Sequence, residues 1–241
     1  MLSRKEFVEA GVLSGTDKIT HHAYERFYAN ILAGFDGLGQ IMEIGYGTGE
    51  SIGFWKKLYP DAELIILDKD KELNGEGFEV LKCDQSCADQ LLEIVNGIDH
   101  SDIGLIVDDG SHIPEHQMIS FNILFEHLRP GGIYIIEDIE CSYWKRGTCY
   151  GNKTAYGARS PKSFVNKMLA LPHWINREFL SEREKVNLES SLNSIGLSSK
   201  VLKELSSVIF CHNCVAIFKG LAGKISQPQF ARSLFTSFGN G

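Results

Sequence analysis

No apolar run in this 241-residue sequence approaches the ~20 residues that a membrane-spanning helix needs. No secretory leader is expected either, since Arg4, Lys5 and Glu6 of MLSRKEF stand where its apolar stretch would lie. The expectation is a cytoplasmic protein with no membrane partner. A basic surplus is also lacking: 24 Lys and Arg face 31 Asp and Glu, for a net charge of −7. An acidic body gains nothing from counterion release, so nucleic acid is not expected as a partner. Cysteines are few and scattered, at 83, 87, 141, 149, 211 and 214. The CHNC of 211–214 has only the looser CDQSC of 83–87 as a second pair for zinc. Free thiols are expected, because a chain this long needs no disulfide framework.

With 43% hydrophobic residues, the sequence can bury a core without staples, and a single domain over 1–241 is the simplest organisation. From residue 40 onward, short β-branched runs alternate with helical stretches. Ile41–Ile44, Leu64–Leu67, Leu105–Val107 and Ile133–Ile136 read as strands. Ser51–Leu58, Ala88–Val95 and Pro114–Leu128 read as helices, the last stopped by Arg129, Pro130, Gly131 and Gly132. Such alternation means an α/β fold with a mostly parallel, doubly wound sheet that binds ligands at the carboxyl ends of its strands. Val208–Cys211 and Cys214–Phe218, joined by His212 and Asn213, read as a terminal antiparallel hairpin. Residues 1–39 form an N-terminal helical segment, in which Tyr24, Phe27, Tyr28, Ile31, Leu32 and Phe35 make an apolar helix face suited to core packing. Residues 40–219 are the core, and 139–160 are a candidate lid rich in aromatics, including Tyr143, Trp144 and Tyr150. The tail, 220–241, carries Leu221, Ile225, Phe230, Leu234, Phe235 and Phe238 without an acid, so it is expected to dock on the core or on another subunit of a homo-oligomer.

Function is sought where strands end. In EIGYGTGES, Gly45, Gly47 and Gly49 sit between a strand and a helix, where missing Cβ atoms let the backbone approach a ligand. The spacing departs from GxGxxG, and Glu43 beside it suits a cation, such as a sulfonium, better than a pyrophosphate. Asp68 ends the next strand, placed to grip two ribose hydroxyls. Asp84 can meet an adenine amino group, though a solvated turn aspartate with no ligand role accounts for it equally well. Asp108 is counted with the cofactor groups.

VDDGSH (107–112) and IIED (135–138) bring Asp109, Glu137 and Asp138 to neighbouring strand ends. Three crowded carboxylates call for a neutralising ion, and Mg²⁺ or another hard divalent cation suits an all-oxygen site with open positions. His112, three residues after Asp109, is placed for proton transfer near neutral pH. His21, His22, His100, His116, His127, His173 and His212 lack that context and read as surface or packing residues.

These residues, together with GTDK at 15–18, EIGYGTG, CDQS, and SYW at 142–144 after IED, resemble the class I S-adenosylmethionine-dependent methyltransferases. Within that class they are similar to the metal-dependent macrolide sugar O-methyltransferases of the mycinamicin and macrocin type. The resemblance covers about residues 15–145. It implies a seven-stranded sheet ending in an antiparallel hairpin, and S-adenosylmethionine bound by Gly45, Asp68 and Asp84. It also implies Mg²⁺ on Asp109, Glu137 and Asp138, with His112 as general base. The acceptor would be a hydroxyl of a sugar or a glycosylated natural product. A catechol or other phenol would use the same metal logic, and a non-catalytic S-adenosylmethionine-binding protein would have no use for His112.

Overall fold

The computed structural model describes residues 2–98 and 102–221. Beyond Leu221 the tail, and with it the expectation that it docks, lies outside the described residues. The chain opens with α1 (Arg4–Ser14), set by a capping box in which Ser3 and Glu6 exchange hydrogen bonds and closed by Gly15 in the left-handed conformation. Two short helices follow, α2 (Asp17–Thr20) and α3 (Glu25–Ile31). The apolar face expected at 24–35 divides between α3 and a 3₁₀ turn over Leu32–Gly34.

The core then alternates strand and helix: β1 (Gln40–Ile44), α4 (Glu50–Leu58), β2 (Glu63–Asp68), β3 (Leu73–Gly75), β4 (Phe78–Lys82), α5 (Ala88–Gly97), β5 (Ile103–Asp108), α6 (Pro114–Leu124) and β6 (Leu128–Glu137). Strands β3 and β4 lie on residues not assigned to strands from the sequence. The Arg-Pro-Gly-Gly run does not end a helix. The helix stops at Leu124, and the run lies inside the first half of β6. A Cβ on Gly132 would stand 2.9 Å from the Arg129 carbonyl oxygen, so only glycine lets the strand turn that tightly. The candidate lid is not structureless: a 3₁₀ turn (Ile139–Ser142) leads into a small hairpin, β7 (Thr148–Cys149) and β8 (Asn152–Lys153). Four helices follow, α7 (Phe164–Met168), α8 (Leu171–Ile175), α9 (Glu182–Ser194) and α10 (Ser199–Glu204). The hairpin of β9 (Leu205–Cys211) and β10 (Cys214–Lys219) ends the described chain.

The sheet runs β3-β4-β2-β1-β5-β6-β10-β9. Strands β4, β2, β1, β5 and β6 are parallel, and β10 and β9 pair antiparallel at one edge. This is the expected sheet, with the three-residue β3 added antiparallel to β4 at the other edge. Alternate residues build two cores. Met42 and Ile44 face a layer that includes Phe121 and Trp174, while Ile41 faces Phe7, Tyr28 and Trp55. Helices α1 to α4 therefore cover one face and α5 to α10 the other, which buries both faces of the parallel strands. All six cysteines are free, as expected. Among the described residues, no helix is long and apolar enough to cross a membrane.

Candidate active site at the strand ends

Chain order reverses between β1 and β5, and a cleft of about 560 Å³ opens there, outside the carboxyl ends of the parallel strands. Gly45, Asp68, Asp84, Asp109, His112 and Asp138 all line it. The turn after β1 needs its glycines for geometric reasons. Gly45 (φ 101°), Gly47 (φ 53°) and Gly49 (φ 93°) are all left-handed, and a Cβ on Gly45 would fall 2.1 Å from the Asp109 carbonyl oxygen. Gly49 is the N-cap of α4 and faces the Tyr46 ring, so it shapes the turn without lining the cleft.

Asp68 is fixed by three backbone amides. Its Oδ1 accepts from Asp70 (2.9 Å) and Lys71 (3.0 Å), and its Oδ2 accepts from Tyr46 (3.0 Å). Oδ1 has both lone pairs engaged, and one remains on Oδ2 for a hydroxyl in the cleft. The hydroxyl and amide of Ser86 hold Asp84 below the usual carboxylate range.

Two carboxylates assigned to the cofactor site lie elsewhere. Asp108 is fully buried behind the cleft, where Gln85 Nε2 (2.6 Å), Ser120 Oγ (2.7 Å) and the Tyr134 hydroxyl (3.3 Å) donate to it. Burial pushes its pKa up against those donors. Neighbours on a strand point to opposite faces, so only one of Asp108 and Asp109 can reach the cleft. Glu43 is equally buried, accepting from Trp55 Nε1 (2.8 Å) and lying 2.9 Å from Lys18 Nζ. It holds the N-terminal segment and does not line the cleft.

Next to the glycine turn lies a chamber of acids. Asp109, His112 and Asp138 each offer a ligand atom, all within 4.8 Å of one another. Glu137 is not in that trio. Its Oε2 lies 2.5 Å from Lys18 Nζ, and its Oε1 accepts from the Tyr28 hydroxyl. The same ammonium lies 2.5 Å from Asp109 Oδ2, so Asp109 and Glu137 already converge on one cation. Burial, set against the attraction of Lys18, leaves the Glu137 carboxyl pushed up to about 7. Lys18 itself is fully buried, yet Asp109, Glu137 and Glu43 outweigh that burial and keep it charged.

Asp138 is held from several sides. Its Oδ1 meets the Tyr24 hydroxyl (2.5 Å), Asn213 Nδ2 (2.9 Å) and His22 Nδ1 (3.2 Å), while its Oδ2 accepts from Tyr150 (2.8 Å). Burial raises the Asp138 pKa. The Tyr150 ring also lies 4.2 Å from the ring of His112, which is 9% exposed and has an unpartnered Nδ1. Backbone strain collects here as well. Among the described residues, the non-glycine positions with positive φ are Ala23, His112, Asp138, Tyr150 and Asn213. Each belongs to this chamber or adjoins one of its donors.

Lys18, His22, Tyr24 and Tyr28 therefore border the site although sequence patterns did not assign them to it, while Tyr150, expected as a lid aromatic, lines the cleft. His22, read as a packing residue, is an Asp138 partner. Tyr24 and Tyr28 do pack as expected, but their hydroxyls are spent on the acids. The one signal for Lys18 was its place in the GTDK segment.

A hard cation fits these residues: the donors are carboxylate oxygens, a lysine ammonium already bridges two of them, and a buried imidazole nitrogen beside them has no partner.

No family model matches the chain. It is 34% identical over 140 residues to the 8-demethyl-8-alpha-L-rhamnosyl tetracenomycin-C 2'-O-methyltransferase of Streptomyces olivaceus, a match covering 54% of this chain and 36% of that protein. It is 38% identical over 114 residues to the mycinamicin VI 2''-O-methyltransferase of Micromonospora griseorubida, covering 44% and 28%. The chain thus spans about a third of the length of these curated relatives. The fold is that of the MycE methyltransferase from the mycinamycin pathway, solved with Mg, SAH and mycinamycin VI. The superposition has a TM-score of 0.73 at 23% identity, over 92% of this chain and 57% of that one.

Proposed function

We propose that this chain is an S-adenosylmethionine-dependent O-methyltransferase acting, with a divalent cation, on a hydroxyl of a sugar or glycosylated small molecule. The observation that carries this reading is the pairing of two sites across one cleft. A glycine turn with amide-held Asp68 stands on one side, and the acid chamber with unpartnered His112 stands on the other. The relatives' names, which are sugar O-methyltransferases, support the substrate class.

S-adenosylmethionine supplies an electrophilic methyl group, and a divalent cation supplies Lewis acidity toward the acceptor oxygen. The protein does the rest. The glycine turn, Asp68 and Asp84 fix the cofactor. Asp109 and Asp138 would hold the ion, with Glu137 joining them at the position that Lys18 marks. His112 takes the proton from the acceptor hydroxyl as the methyl arrives, and tight positioning contributes much of the rate.

The test is S-adenosylhomocysteine release with pooled glycosides and catechols, with and without EDTA. Glycoside-dependent turnover that EDTA abolishes, with S-adenosylhomocysteine binding retained in calorimetry, is the expected result. Full activity in EDTA overturns the cation assignment, and turnover of catechols alone overturns the substrate class.

A further inference from the structure

Lys18 has a role that methyl transfer does not require by itself. Its side chain is 1% exposed, and its ammonium is shared by three carboxylates: Asp109 Oδ2 at 2.5 Å, Glu137 Oε2 at 2.5 Å and Glu43 Oε1 at 2.9 Å. Two of these are proposed cation ligands, and Glu43 is not. One cation cannot stand between Asp109 and Glu137 while another occupies the same oxygens, because like charges that close repel strongly in a buried site. Without the ammonium, the buried carboxylates would face each other uncompensated.

We infer that Lys18 is the resident cation of the acid chamber and gives way to the divalent ion by shifting onto Glu43. This rests on the cation site proposed above. Several features suit the exchange. Lysine carries a compact charge on a flexible four-carbon stem, so a short displacement changes its partners without moving its backbone. Glu43 sits on an interior strand, is anchored by Trp55 Nε1 at 2.8 Å and already touches the ammonium. It is a receiving carboxylate outside the ligand set. Lys18 also lies in α2, immediately after Gly15, Thr16 and Asp17, which line the cleft. One short segment thus borders both the cleft and the acids behind it. In this arrangement Lys18 is a positioning residue that keeps the acids gathered before the ion arrives and sets how tightly the ion is then held.

The experiment is a Mn²⁺ titration of the full chain, without cofactor or acceptor, followed by the electron paramagnetic resonance of free Mn²⁺ and by the melting temperature. Lys18→Met removes the competitor, so it should bind Mn²⁺ at least tenfold tighter than wild type. It should also melt lower without metal and gain more from Mn²⁺. Glu43→Gln removes the receiving carboxylate and should weaken Mn²⁺ binding threefold or more. Equal or weaker binding by Lys18→Met overturns the exchange. Should that variant not fold, unchanged affinity in Glu43→Gln overturns it instead. Asp109→Asn and Asp138→Asn separate the two levels: if both retain wild-type Mn²⁺ affinity, the cation site itself fails. If both lose affinity while Lys18→Met matches wild type, only the exchange fails.

Discussion

Gly45 and the backbone of Asp109 are pressed together so closely that a methyl group on Gly45 would lie 2.1 Å from the Asp109 carbonyl oxygen. The cofactor turn and the acid chamber therefore share a wall, and neither can shift without the other. Gly45→Ala combines a left-handed backbone strain with a clash against main chain, together costing about 3 kcal/mol or more. The expected outcome is a lower melting temperature and loss of both S-adenosylhomocysteine and Mn²⁺ binding, read by thermal denaturation and calorimetry.

Asp68→Ala removes the only carboxylate that organises the cleft turn through Tyr46, Asp70 and Lys71 amides among the described residues. Cofactor affinity should fall roughly 10- to 100-fold, equivalent to the ~1.5 to 3 kcal/mol of a charged hydrogen bond. Asp70→Ala, at a residue that borders the same cleft, is the control and should bind within about threefold of wild type. Calorimetric titration with S-adenosylhomocysteine compares the two.

Replacing His112 by Ala should lower kcat by roughly 10² to 10⁴, the range for loss of a general base, while cofactor affinity holds. Activity equal to wild type across pH 6 to 9 would remove His112 from the chemistry.

For Asp108 the expectation is the reverse. Asp108→Ala takes a buried acceptor from Gln85, Ser120 and Tyr134; Gln85 keeps Ser120 Oγ and Ser120 keeps the His116 carbonyl, so the cost, about 1 to 3 kcal/mol for such a loss, falls chiefly on the Tyr134 hydroxyl. Stability should drop in urea denaturation. The S-adenosylhomocysteine dissociation constant of the protein that remains folded should change little.

Burial pushes the Cys83 thiol up to about 11 from an ordinary value of 9.0. Between those values the folded chain keeps a proton that the unfolded chain releases, so rising pH favours unfolding. The contribution of this thiol is complete below pH 9.0 and is lost as pH climbs toward about 11. Iodoacetamide at pH 8 should accordingly modify Cys87 well before Cys83 in the native protein, as peptide mass mapping would show.

Much of this arrangement is legible in the sequence because parallel strands write themselves as short β-branched runs and end in their working residues. Asp68, Asp84, Asp109, His112 and Asp138 were picked out that way, and all five line the cleft. Parity was not legible: VDD carries two adjacent acids, and nothing local says which one faces Ser120 and which the cleft. Glu43 misled for a related reason. An acid inside a buried strand looks like a ligand group when its partners, Trp55 and Lys18, are out of view. Lys18 and the tyrosines at 24 and 28 lie more than 80 residues before Asp109, Glu137 and Asp138. Periodicity reports which face of a helix is apolar, and it is silent on what a hydroxyl at the end of a buried ring will touch.

The left-handed conformations at Ala23, His112, Asp138, Tyr150 and Asn213 carry a further meaning for anyone who alters this protein. His, Asp and Asn adopt this conformation more readily than other side chains, so glycine at Ala23, whose methyl has no hydrogen bond to lose, is where resistance to heat would be gained most readily. These five are also the positions whose relaxation would let the acids and the imidazole drift apart. A variant library ranked by melting temperature alone would therefore drift toward robust proteins that no longer work, and selection on this chain has to score turnover at every round.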